Sequence, residues 1–227
     1  MDSPFSLHAA LALIVAGDPD VVQAVWTSLY TSGAAILLGS LAGIPVGVSL
    51  GLGRFAGRRL AVTLLNTLMA MPTVVVGLLI YGLLSRQGLF GPLGLLFTPL
   101  AMIIGQTVLA APIVANYTLA AVAGADPRIL PTAMTLGAGR LHGAWRLLLE
   151  VRFGLLAAVV AGFGRVIAEV GVAMMLGGNI RGTTRTMTTA IALETSKGEF
   201  AFGLALGLVL LAVALVVNLF LNLLQHR

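Results

Sequence analysis

The chain has no cysteine, a single lysine, Lys197, and charged side chains at only 9% of its 227 positions. Without cysteine there is neither a disulfide framework nor a thiolate metal site. The lone lysine is followed by Gly198, so the Gly-Lys-Ser/Thr end of a phosphate-binding loop is missing and ATP hydrolysis would need a separate polypeptide. The three histidines, His8, His142 and His226, lie outside the apolar runs, and neither an HExxH helix nor a Gly-x-Ser-x-Gly elbow occurs, so metalloproteolysis and esterolysis lack their parts. No basic residue precedes Arg54, so the basic n-region of a cleaved signal peptide is absent.

What the chain does have is apolar length. Hydrophobic residues make up 59% of it and the mean hydropathy is +1.04, a composition that fits an integral membrane protein and no soluble globular domain. Runs long enough to cross a bilayer span Val22 to Leu50, Leu60 to Leu84, Leu93 to Ala123, Phe153 to Leu176 and Phe200 to Leu224. The expectation is an all-α polytopic bundle of five transmembrane helices, with residues 22–227 as the membrane domain and 1–21 as an extracytoplasmic segment. Ser6 to Ala16 reads as an interfacial helix or an unstructured tail. Gly17-Asp18-Pro19-Asp20 then breaks and caps the next helix.

The thirteen basic residues are scattered through short loops, which argues for setting topology and against binding nucleic acid. With five spans, Arg54, Arg58, Arg59, Arg128, Arg140, Arg146, Arg152 and Arg227 share one side, and Arg86, Arg181, Arg185 and Lys197 the other. The excess marks the first side as cytoplasmic, with the amino terminus outside and the carboxyl terminus inside. Trp26, Tyr30 and Tyr81 then fall near the outer interface. Glycines at 39, 43, 47 and 51, at 203 and 207, and Gly154-Ala158-Gly162 make smooth stripes for close helix approach, while Pro45, Pro72, Pro99 and Pro112 should kink or interrupt helices.

One span carries charge. Arg165 and Glu169 stand one turn apart, with Arg165 roughly 18 Å from the start of its run. Charge at that depth is costly and persists facing a polar cavity or a partner, so the pair is either a solute contact on a shared pore or a mutual neutralisation. On the outer side Asn179, Arg181, Thr183, Thr184, Arg185 and Thr188, beside Gly177, Gly178 and Gly182, offer guanidinium forks, hydroxyls and freed amides suited to a tetrahedral oxyanion. The same segment also reads as a polar surface loop or an amphipathic helix packing through Met187 and Ile191. Lys197 and Glu199 should cap the last span.

The longest cytoplasmic stretch, 126–152, reads as two short helices. Ile129, Leu130, Ala133, Met134 and Leu136 give the first an apolar side, Gly137 and Gly139 break it, and Leu141, Ala144, Trp145 and Leu148 give the second its own. Here the chain resembles permease subunits of type I ATP-binding-cassette importers, whose signature is Glu-Ala-Ala, three residues, Gly-Ala, then Ile-x-Leu-Pro. Ala133, Gly137 and Ala138 match, Leu147 and Leu149 stand at the later apolar positions, and Pro131, Thr132 and Glu150 depart from it. Gly164 to Phe200, with its Asn-Ile-x-Gly-x-Thr-Arg-Thr run, is similar to tungstate importer permeases and more loosely to those for molybdate and sulfate. The resemblance implies a MetI-like fold in the inner membrane and a homodimer around one pore. It also implies ATPase subunits that bind ATP and Mg and dock near Ala133, Leu136, Gly137, Ala138, Arg140 and Trp145. An extracytoplasmic solute-binding protein would sit above and membrane lipid around, with no cofactor in this chain and ATP-driven import of an oxyanion, tungstate first. An ion-coupled secondary carrier is the rival, although no matching halves are visible.

Overall fold

The computed structural model describes residues 7–53 and 55–225; Asp2, Ser6, Arg54, His226, Arg227 and the side chain of Arg140 lie outside the described residues. Helix follows helix, with no strand among the described residues: α1 Leu7–Val15, α2 Pro19–Leu52, α3 Arg58–Met69, α4 Thr73–Leu84, α5 Pro99–Ala123, α6 Ile129–Thr135, α7 Arg140–Glu150, α8 Arg152–Ile167, α9 Gly171–Gly177, α10 Met187–Lys197 and α11 Phe200–Gln225. The Asp18 carboxylate accepts from the amides of Asp20 (2.9 Å) and Val21 (3.2 Å), so the expected breaker caps α2. Thr98 does the same for α5, with Pro99 in the first turn where its missing N–H costs nothing.

Three helices, α2, α5 and α11, are long and apolar enough to cross a membrane unaided, and bent pairs bring the total to as many as five. Two of the five expected spans are interrupted, one at the proline expected to break it and one without a proline. The second breaks at Ala70 to Pro72, where α3 and α4 meet at 93°, because proline offers no amide and disfavours helix in the residue before it. The fourth breaks at Ala168 to Val170 without proline, and α8 is instead bent 71° from α7 at its other end. Pro45 and Pro112 sit inside helices that run on unbroken.

The centre of the bundle is the parallel pair α2 and α5. A Cβ on Gly39 would lie 2.7 Å from the Ala110 Cβ, and one on Gly43 would lie 2.6 Å from the Ala111 carbonyl oxygen, so only glycine permits this approach. Gly154 brings α8 equally close to Ala121 on α5, where a Cβ would lie at 2.6 Å, and Gly162 does the same against Ile36 on α2 at 2.6 Å. Gly207 has nothing within 4 Å, so the last span does not use its stripe in this way. Ala35, Ile36, Ala110, Val114, Ala158 and Val166 form the buried core where α2, α5 and α8 meet. At one end Trp26 and Tyr30 pair their rings at 6.3 Å, and Tyr81 meets Phe97 edge-on.

Candidate functional site

The two interrupted crossings meet at their breaks. Half-helix α4 packs on half-helix α9, and a Cβ on Gly77 would touch the Met175 sulfur at 2.9 Å. Both half-helices begin at the same place, since a Cβ on Gly171 would lie 3.3 Å from the Thr73 Oγ1 and equally from the Glu169 Oε1. Glu169 stands in the gap between α8 and α9, not on a continuous helix. Its Oε1 accepts from the Val172 amide (3.2 Å), which caps α9 after the chain has left α8. Its Oε2 accepts from Arg165 Nη1 at 2.8 Å.

The pair is lopsided. Glu169 is 3% exposed and Arg165 45%, so the carboxylate is held inside while the guanidinium, with five N–H donors, presents several of them outward. A buried carboxylate without a partner would be expensive. Here both of its oxygens are used, and the guanidinium edge is left accessible on the surface of the chain. The Thr188 hydroxyl donates to the Glu169 carbonyl at 2.9 Å, so the start of α10 braces the gap from behind.

The outer segment behaves differently from an array of free donors. Thr184 is buried, donating its hydroxyl to the Gly177 carbonyl and accepting from the Ile180 amide (3.0 Å). The Asn179 amide donates to the Thr189 carbonyl at 3.3 Å. Thr186 caps α10 in a box with Thr189, and Thr188 is committed to Glu169. Arg181 is exposed but forks onto Asp20, its Nε at 2.7 Å from Oδ1 and its Nη2 on Oδ2, and that bond raises the guanidinium above its ordinary pKa. Arg185 lies mostly buried with Nη1 3.8 Å from the Glu194 carboxylate. Lys197 pairs with Glu194 on its own helix at 3.0 Å, not with the last span. Of the outer residues expected to meet an oxyanion, Thr183 is exposed with no hydrogen bond from its side chain, and the Arg185 Nε is buried without a partner, among the described residues. The signal for this local use was in the sequence, because Thr186 and Thr189 stand at capping-box spacing.

At the opposite end α6 and α7 fold back on each other. Gly137 turns at φ +86°, a left-handed conformation that a side chain would strain. The packing face of α7 is Gly143 and the buried Leu147, set against Leu130, and not the Leu141–Trp145 side expected from the apolar pattern. That other side is left bare, with Leu136 83%, Leu141 84% and Trp145 61% exposed. Ala133 and Ala138 are half-buried, linked by the Ala138 amide to the Ala133 carbonyl at 3.0 Å, and they hold the turn that presents this patch. Behind the patch a cleft of about 1010 Å³ opens between the helix pair and the α2–α3 turn, lined by Arg58, Arg59, Asp126 and Leu130 among others.

The profile of the family described as "Binding-protein-dependent transport system inner membrane component" matches residues 43–227. The tungstate uptake system permease protein TupB of Peptoclostridium acidaminophilum is 38% identical over 199 residues, covering 88% of this chain and 87% of that one. TupB of Campylobacter jejuni subsp. jejuni is 41% identical over 197 residues, covering 87% and 82%. Among solved structures, an inward-facing MetNI methionine ABC transporter superposes with a TM-score of 0.75 at 19% identity, covering 90% of this chain and 94% of that one, a likeness of fold.

Proposed function

Because the chain belongs to the family of binding-protein-dependent transport system inner membrane components, we propose that it is the permease subunit of an ATP-binding-cassette importer carrying an oxyanion, tungstate, into the cell. Two copies enclose one path. Separate ATPase subunits bind ATP and Mg and dock on the bare face of Leu136, Leu141 and Trp145. A binding protein outside delivers the anion, and the loop arginines hold the amino terminus outside and the carboxyl terminus in the cytoplasm.

The observation that carries the anion reading is Arg165, a half-exposed guanidinium set where two interrupted spans meet and neutralised from behind by a buried carboxylate. An arginine in that position attracts an oxyanion by charge-assisted hydrogen bonds. Glu169 keeps the attraction moderate, because a path that binds too tightly does not conduct. The hydroxyls of Thr184 and Thr188 and the amide of Asn179 serve as scaffold for this junction, and Arg181, Thr183 and Arg185 form the outer rim. Tungstate is chosen over molybdate and sulfate on the relatives named above.

The test is reconstitution of the chain with its ATPase and binding protein in liposomes. Tungstate-loaded binding protein is expected to raise ATP hydrolysis and drive uptake. Stimulation by sulfate-loaded binding protein alone would overturn the tungstate assignment, and uptake undiminished without the ATPase would overturn the importer reading.

A further inference from the structure

The face of α3 that looks away from the bundle core is divided in two. Leu60, Leu64 and Leu68 are exposed and apolar, as a surface against lipid should be. Beside them Arg59, Thr63, Asn66 and Thr67 are also exposed, and their three- and four-residue spacing puts them on one stripe. The third side, with Ala61, Val62 and Leu65, packs on Ala115 and Leu119 of α5 and on Leu50 of α2. The stripe runs from Arg59 to the break at Ala70, roughly 16 Å along the helix. Just past that break is Thr73, whose hydroxyl and the Glu169 carboxylate each lie 3.3 Å from where a Cβ on Gly171 would stand.

Threonine hydroxyls alone would not decide where this stripe faces, since Thr63 and Thr67 bond carbonyls of their own helix at 3.0 and 2.9 Å and tolerate lipid in that way. Asn66 decides it. The Asn116 amide of α5 donates to the Asn66 oxygen, which leaves the Asn66 N–H donors and the Asn116 oxygen without a partner among the described residues. Unmet amide groups in hydrocarbon cost several kcal/mol each, so this face is turned away from lipid.

The geometry points to an exit lane for the transported anion along the stripe of α3, from the Arg165 junction past Asn66 and Asn116 to Arg59 at the cytoplasmic mouth. This rests on the permease reading and extends it. Between the two arginines the lane carries hydroxyls and carboxamides and no charge, so it offers neutral hydrogen bonds to an anion in transit and no well to hold it. Arg59 then gives a cationic pull at the end.

The absence of cysteine makes a direct test simple. Thr63→Cys, Asn66→Cys, Thr67→Cys and the control Leu64→Cys are each assembled with the ATPase in inside-out vesicles and treated with an anionic and a cationic methanethiosulfonate. Thiols react through the thiolate, which forms in water and not in lipid, so positions 63, 66 and 67 should react about tenfold or more faster than 64. The anionic reagent should be favoured at 66 relative to a free thiol, and tungstate should slow it. Equal reactivity at 64, or silence at 63, 66 and 67 with and without ATP, would overturn the lane. As a second measurement, Asn66→Leu should slow transport and Asn66→Gln should restore it; parental transport by Asn66→Leu would also overturn it. Anion-selective labelling at 66 in an assembly that ignores tungstate would leave the lane standing and remove the tungstate assignment instead.

Discussion

Exchanging Arg165 and Glu169 for glutamine, singly and together, separates their attraction from their individual burdens. The pair stands at 2.8 Å with one partner 3% and the other 45% exposed. Two unit charges 4 Å apart in surroundings of intermediate dielectric attract by about 4 kcal/mol, and solvent around a half-exposed guanidinium cuts this to about 1–2 kcal/mol. Arg165→Gln should be the more damaging single change, because it takes away the cation paired with a buried carboxylate and leaves neutral donors only. Glu169→Gln keeps an oxygen for that amide and releases an arginine that water can reach. The double variant should recover part of the loss, giving a coupling of about 1–2 kcal/mol in a double-mutant cycle. In thermal unfolding of the purified chain in detergent, that coupling corresponds to roughly 2–8 °C. Additivity within about 0.3 kcal/mol would refute the argument, since the two groups would then not be interacting.

Gly43→Ala would place a Cβ 2.6 Å from the Ala111 carbonyl oxygen and 3.1 Å from the Ala115 nitrogen; backbone cannot give way, so a loss of about 1–3 kcal/mol is expected in detergent unfolding, whereas Gly207→Ala, with open space around it, should be neutral or mildly stabilising. Gly137→Ala forces a side chain into φ +86°, at about 1–2 kcal/mol, and should reduce ATPase stimulation while the unfolding temperature of the spans stays near parental. Thr188→Val removes the hydroxyl that braces Glu169 and should cost about 1–2 kcal/mol, against a change within about 0.5 kcal/mol for the exposed Thr183→Val, both read by thermal unfolding.

The crossings were legible because apolar runs of bilayer length need little else to identify them, and the close approach of α2 to α5 was legible because glycine recurred every four residues at 39, 43 and 47. The interruptions were only half legible. Proline announced the break at Pro72, but at Ala168 to Val170 the chain leaves the helix so that a buried carboxylate can cap the next one, a tertiary arrangement that leaves no breaker in the sequence. Arg165 and Glu169 were found as a charged pair, yet their unequal exposure depends on where α4 and α9 begin and could not be read from spacing. Of the outer threonines, Thr184 and Thr188 hold carbonyls of the fold and Thr186 and Thr189 cap α10, since a short turn with buried backbone must satisfy its own carbonyls first, while Thr183 stays free. The polar stripe of α3 is masked in the sequence because Arg59, Thr63, Asn66 and Thr67 alternate with leucines; only a period of three and four residues separates the two faces.

The anion-path reading turns on whether the positive charge at the junction moves cargo or only holds two helices together. The Arg165→Gln/Glu169→Gln double variant answers this, because glutamine on both sides can keep a hydrogen bond while removing both charges. Measured as tungstate uptake per assembled transporter in liposomes with binding protein and ATPase present, the double variant should fall by roughly tenfold or more, the size of losing one charge-assisted contact, with assembly intact. Uptake at the parental rate would contradict the account and leave the pair a structural fastening.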